Sequence, residues 1–211
     1  MVKVVSFTFN AFQENTYILY DETKECIIFD PGCSNAAEKQ QLTDFIEQND
    51  LKPVRLINTH CHLDHIFGNG FIAKKYGLSL EIHKGELPVL AHAPRSAAMY
   101  GVVMDPSPEP TKFIEEGDII TFGKAQLIAI LTPGHSPASL SFYCAQDNFI
   151  IAGDVLFHMS IGRTDLPGGD FNTLINSIQT KLFILPDETK VYPGHMRATT
   201  IGFEKENNPF L

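Results

Sequence analysis

The chain has no apolar run approaching the roughly 20 residues that a membrane-spanning helix needs. Its N-terminal stretch MVKVVSFTFN also lacks the apolar core of a signal peptide. A soluble protein is therefore expected. There is no CxxC pair, and Cys26, Cys33, Cys61 and Cys144 form no tight framework, which points to the reducing cytoplasm rather than a disulfide-stapled secreted fold. Cationic charge is scarce: 16 basic residues face 25 acidic ones, the net charge is −9, and no Lys/Arg-rich run occurs. This argues against a nucleic-acid partner and against an anionic membrane surface. Polar low-complexity tracts are missing too, so an ordinary globular protein acting on a small molecule is favoured. No feature specifies an oligomeric state.

With 211 residues, 44% of them hydrophobic, the chain is read as one domain, 1–211, able to bury its own core. VKVVSFTF, NTYILY and ECIIFD read as strands bounded by turn formers. Ser34 and Asn35 are candidate caps for a helix reaching about Asp50, with Leu42, Phe45 and Ile46 at helical spacing. VRLIN is a short strand, and Asp64 is placed to open a helix running through Phe71, Ile72 and Tyr76. Prolines 88, 94, 106, 108 and 110 predict a helix fragment plus a long loop from Glu86 to Lys112. Strands resume at DIITF, AQLIAIL, ASLSFY and NFIIA, then come a helix over FNTLINSIQTKLFIL, the strand KVY and a last helical turn or two. Two runs of strands interleaved with helices suggest an α/β fold with two sheets packed face to face and helices outside.

The segment NTHCHLDHIFGN packs three of the eight histidines and an aspartate into six positions, in the pattern H-x-H-x-D-H. Clustered imidazoles repel when protonated and need partners when buried, so a cation is expected among them. In extended chain, His60 and His62 point to one side and Cys61 to the other, where it is a small packed thiol. Asp64 and His65 can turn toward a second point. Further donors follow other strands: His135 in LTPGHSP, Asp154 in IIAGDVLF and His195 in KVYPGHMR. Together these satisfy a dinuclear centre, with His60, His62 and His135 on one ion, Asp64, His65 and His195 on the other, and Asp154 bridging. Such a donor set suits two divalent ions, zinc first, with iron or manganese possible.

These motifs, in the order FDPG, THCHLDHIFGN, PGHSPASLSF, AGDVLF, IGRTDLPGGD, PGHM and EKENNPFL, resemble the metallo-β-lactamase-fold hydrolases, and most the hydroxyacylglutathione hydrolase (glyoxalase II) branch. The resemblance implies an αββα sandwich and the same seven ligand positions. It implies thioester hydrolysis, as of S-lactoylglutathione, by metal-bound hydroxide, with His60 and His62 on the ion that takes the growing negative charge and Asp64 aligning the nucleophile. It is to a short form: the chain ends 16 residues after His195, without the helical C-terminal domain of the longer enzymes. A more open or different leaving-group pocket is expected in consequence. The alternatives are an iron-dependent persulfide dioxygenase of the same fold, and a lactonase or β-lactam hydrolase.

Other residues carry less. Asp30 in FDPG is either a turn residue or a support of the site, and Arg163 and Asp165 are expected to order their loop. Gly134 and Gly194 are read as permitting tight turns before the ligand histidines. His83, His92 and His158 are read as surface or packing residues, with His158 placed so that it could edge the pocket.

Overall fold

The computed structural model describes residues 1–211. Its opening residues, β-branched and aromatic as the strand reading requires, form β1 (Lys3–Phe9), β2 (Glu14–Tyr20) and β3 (Glu25–Phe29), an antiparallel meander. Asp21 makes the turn into β3 by accepting from Thr23 N–H and hydroxyl at 2.9 and 2.6 Å. Helix α1 (Ala36–Gln48) starts where Asn35 accepts from Glu38 N–H at 3.0 Å. Next along the chain come β4 (Lys52–Ile57), α2 (Leu63–Ile66), α3 (Asn69–Tyr76), β5 (Leu80–Ile82), α4 (Leu87–Tyr100) and β6 (Lys112–Phe113). The first sheet has the order β1-β2-β3-β4-β5-β6 and turns from antiparallel to parallel at β3.

The remaining elements are β7 (Ile119–Phe122), β8 (Ala125–Leu131), β9 (Leu140–Cys144), β10 (Phe149–Gly153), the small ribbon β11 (Leu156–Phe157) and β12 (Ser160–Ile161), α5 (Phe171–Ser177), β13 (Lys190–Pro193), β14 (Thr199–Thr200) and α6 (Ile201–Asn207). The second sheet has the order β14-β13-β10-β9-β8-β7. Two mixed sheets with flanking helices are the α/β class that the strand pattern implied.

Two compact units result, one comprising Met1–Ile82, Leu87–Phe113 and Thr121–Ala125, the other His83–Glu86, Ile114–Ile120 and Gln126–Leu211. In the first, Leu42 and Ile46 of α1 and Ile72 of α3 pack with Ile18, Ile28 and Leu56 of the sheet. In the second, Leu174, Ile178, Leu182 and Ile201 pack with Ile150, Ala152 and Val191. Each such side chain contributes about 1.5–3 kcal/mol by leaving water. The four cysteines are buried and form no disulfide, and no helix is long and apolar enough to cross a membrane.

Three elements depart from the sequence reading. The helix expected from Asp64 to Tyr76 is broken into α2 and α3, because Gly68 N–H donates to Pro31 O at 2.6 Å and draws the chain against Pro31 and Cys33. The helix fragment after Glu86 reaches 14 residues with Pro94 inside it, carried by burial of Ala93 and Ala97. The long helix after Asp170 changes to π geometry over Ile178–Leu182.

Candidate metal centre

In the first unit the donors follow β4. His60 is fully buried, Cys61 lies in the apolar core and His62 is half-buried, so the extended chain separates imidazoles from thiol as its alternation predicts. The His60 ring centroid is 4.8 Å from that of His62 and 4.1 Å from that of His65. Asp64 and His65 sit in the single turn of α2, with His65 Nε2 3.7 Å from Asp64 Oδ2.

Imidazole orientation is set from behind. Asp30 Oδ1 accepts from Thr59 N–H at 2.7 Å and Asn58 Nδ2 at 3.3 Å, and Oδ2 accepts from the Thr59 hydroxyl at 2.6 Å. Asp30 Oδ2 also lies 3.2 Å from His65 Nδ1. The Thr59 proton is committed to Asp30, so Thr59 Oγ1, 3.1 Å from His60 Nδ1, accepts from that ring. The His60 ring then carries its proton on Nδ1 and presents Nε2 as the donor atom, and the Asp30 carboxylate beside His65 Nδ1 favours the same tautomer there. Asp30 adopts φ +46°, outside ordinary strand geometry, to place its carboxylate there. The FDPG aspartate is thus both a turn residue and a support. Asp30→Asn would set an amide N–H against these donors; metal affinity should fall about 10–100-fold. Competition with a chromophoric chelator measures it, and unchanged affinity would count against Asp30 as an orienting group.

Behind His65 lies a second carboxylate that the motif reading missed. Glu14 at the head of β2 is fully buried, with Oε1 3.9 Å from His65 Nδ1 and Oε2 2.9 Å from Thr16 Oγ1. Burial pushes its carboxyl well above the usual carboxylate range, against the opposing pull of His65. The signal was there in principle, an acidic residue opening a strand otherwise built to be buried.

In the second unit, topology assembles the donors. Strands β10 and β13 are parallel neighbours, and β8 is antiparallel to β9, itself antiparallel to β10. The C-terminal ends of β8, β10 and β13 therefore share one edge, and His135, Asp154 and His195 each follow one of them. Gly194 stands at the bend before His195, as expected, and its N–H donates to Gly153 O at 2.9 Å. Gly134 does have turn geometry, at φ +127°. His135 Nδ1 donates to Arg163 O at 2.7 Å, which leaves Nε2 to face Asp154. Buried Glu86 holds the same loop by accepting from Ser136 Oγ at 2.6 Å and Ala138 N–H at 2.9 Å.

Asp154 Oδ2 lies 3.5 Å from His135 Nε2 and 3.5 Å from His195 Nε2. These separations exceed ordinary N–H···O lengths. They match the edge of a coordination tetrahedron: bonds of about 2.0–2.1 Å put neighbouring ligand atoms about 3.3 Å apart. The donors present therefore fit divalent cations, and one carboxylate oxygen 3.5 Å from the Nε2 atoms of two imidazoles fits a shared ligand.

Arg163 pairs with Asp165 through two hydrogen bonds of 2.7 and 2.8 Å, and the guanidinium holds the Asp165 carboxyl at about 2. The GRTD segment orders its loop as expected, and its carbonyl is what reaches His135. His83 accepts from Gly85 N–H at 3.0 Å, His92 meets Ser96, and His158 stacks on Phe203, the structural roles foreseen for them.

Residues 9–195 match the family model described as the Metallo-beta-lactamase superfamily. The chain is 36% identical to the probable metallo-hydrolase YqgX of Bacillus subtilis, over 94% of this chain and 92% of that protein. It is equally 36% identical to the hydroxyacylglutathione hydrolase GloC of Haemophilus influenzae, over 95% and 94%. Among solved structures it is similar to TTHA1623 in a di-iron-bound form, with a TM-score of 0.89, 34% identity, and coverage of 99% and 100%.

Proposed function

The chain belongs to the metallo-beta-lactamase superfamily and is a metallo-hydrolase of it; within that class, we propose that it hydrolyses thioesters of the S-lactoylglutathione type. The observation that carries the reading is the donor set itself, histidines held with Nε2 outward and a carboxylate oxygen shared between two of them. The likeness to GloC supports the thioester class. From the H-x-H-x-D-H motif and the resemblance to this family's ligand positions, we assign His60, His62 and His135 to one ion, Asp64, His65 and His195 to a second, and Asp154 to both. Zinc is our first choice, and the di-iron form of TTHA1623 makes iron the second.

When bound, such ions supply Lewis acidity, which brings the pKa of water from 15.7 to about 7 and polarises a carbonyl oxygen. The residues divide the remaining work. His60 and His135, fixed by Thr59 and Arg163 O, keep their rings from turning. Asp64, whose side chain is 17% exposed, offers the carboxylate that aligns the attacking water. A thiolate leaving group has a pKa near 8.5 and departs with little general acid. All four cysteines are buried, and burial pushes the Cys26 and Cys33 thiols up to about 12, so these two are poor nucleophiles.

The test is turnover by metal-quantified protein across thioesters of glutathione, coenzyme A and simple alkyl thiols, with a β-lactam and a lactone as further arms. Thioester cleavage should vanish on chelation and return with zinc, manganese or iron. The competing activity is persulfide oxidation by a single iron on His60, His62 and Asp64; oxygen uptake with glutathione persulfide and no thioester turnover would replace our reading with that one.

A further inference from the structure

We infer that Glu204, nine residues beyond His195, is a positioning residue for Asp154 and His195, an inference that rests on these two being metal ligands. Glu204 lies on α6, fully buried, and every group around its carboxylate is a donor. Oε1 accepts from the Thr199 hydroxyl at 2.5 Å and lies 3.5 Å from His158 Nδ1. Oε2 accepts from Met159 N–H at 3.0 Å and from Asn208 Nδ2 at 2.8 Å. Burying a carboxylate is costly unless it is fully hydrogen-bonded, and three of the four partners here, all but Asn208, come from the two connections that carry the ligands.

Met159 is at the tip of the β11–β12 ribbon that directly follows Asp154, in left-handed geometry at φ +58°. Asn208 also donates to Ser160 O at 3.0 Å, so α6 grips that tip twice. Thr199 begins β14, which pairs with β13 and closes the connection holding His195. A third tie runs through His158. Arg197 Nη2 donates to its Nε2 at 2.5 Å, so the His158 proton sits on Nδ1, facing Glu204. Arg197 belongs to the same connection as His195, and Phe157, beside His158, sets its ring 6.1 Å from the His195 ring. One carboxylate thus joins the segment after Asp154 to the segment after His195. Glutamine could accept at only one oxygen and would turn an N–H toward existing donors.

The experiment is zinc titration of metal-free protein against a chromophoric chelator, with the melting temperature recorded for each variant. Glu204→Gln should weaken the looser ion at least tenfold and the tighter one less than threefold. Thr200→Ala removes the cap of α6, whose hydroxyl accepts from Phe203 N–H at 3.2 Å, and leaves every hydrogen-bond partner of the Glu204 carboxylate in place. It should lower the melting temperature while leaving both affinities within twofold. Thr199→Val, which deletes one donor to the carboxylate, should weaken the looser ion about threefold and serves if Glu204→Gln does not fold. Equal affinity changes in Glu204→Gln and Thr200→Ala at equal loss of melting temperature would overturn the positioning role. Asp154→Asn is the control. If it weakens zinc and Glu204→Gln and Thr199→Val do not, only this inference fails; if it binds zinc as wild type does, the ligand reading falls and this inference with it.

Discussion

Asp154→Ala is expected to lose bound metal and to lower thioester turnover by at least about 10³-fold, or roughly 4 kcal/mol of barrier. The side chain is nearly buried, and its Oδ2 is 3.5 Å from each of two imidazoles. In the proposed centre, two divalent ions, one hydroxide and two carboxylates leave a formal charge of about +1; without Asp154 it rises to about +2, with no carboxylate shared by the cations. The metal-free protein should respond far less. There the nearly buried carboxylate holds no cation and still carries its desolvation cost, so the loss of unfolding free energy in the variant should be much smaller in chelator than in zinc. Metal content by elemental analysis, with thermal unfolding in chelator and in zinc, separates the two effects. Wild-type turnover in Asp154→Ala would remove the basis of the proposed chemistry.

Gly134→Ala should be strongly destabilising, costing about 4 kcal/mol from left-handed strain and overpacking together. A Cβ at Gly134 would lie 2.2 Å from Leu174 N and 2.4 Å from Leu174 Cα, and φ is +127°. Leu174 is fully buried in the second unit's core, so α5 cannot retreat without opening that core. Asp170 N–H also donates to Gly134 O at 2.8 Å. The expected loss in melting temperature is about 8–16 °C. His135 is the next residue, so zinc affinity should fall as well. Gly101→Ala is the control: φ is +66° with nothing within 4 Å of the added carbon, and only strain of about 1 kcal/mol is expected. Urea unfolding measures both; equal midpoints for the two variants would refute the steric account.

Legibility followed the range of the interaction responsible. The cap at Asn35, the meander and the alternation of His60, Cys61 and His62 depend on neighbours in sequence, and the chain carried them openly. The break between α2 and α3 was hidden because it depends on Gly68 meeting Pro31 and Cys33. Strands β5 and β6, of three and two residues, exist by virtue of parallel pairing with distant neighbours. Pro94 pointed to a loop, and the burial of Ala93 and Ala97 overrode it.

The sequence by itself determined which donor atoms are available, their order, and hence the class of cation and reaction, because ligand chemistry belongs to the side chain wherever it sits. Only the tertiary structure decided how those donors are aimed. Asp30 reaches Thr59 across 29 positions, Glu86 reaches Ser136 across 50, and Glu204 reaches Met159 across 45. An isolated Asp or Glu in a sequence does not declare whether it will face water or a buried N–H. That is settled when folding withdraws it from solvent and leaves another segment's donors as its only partners.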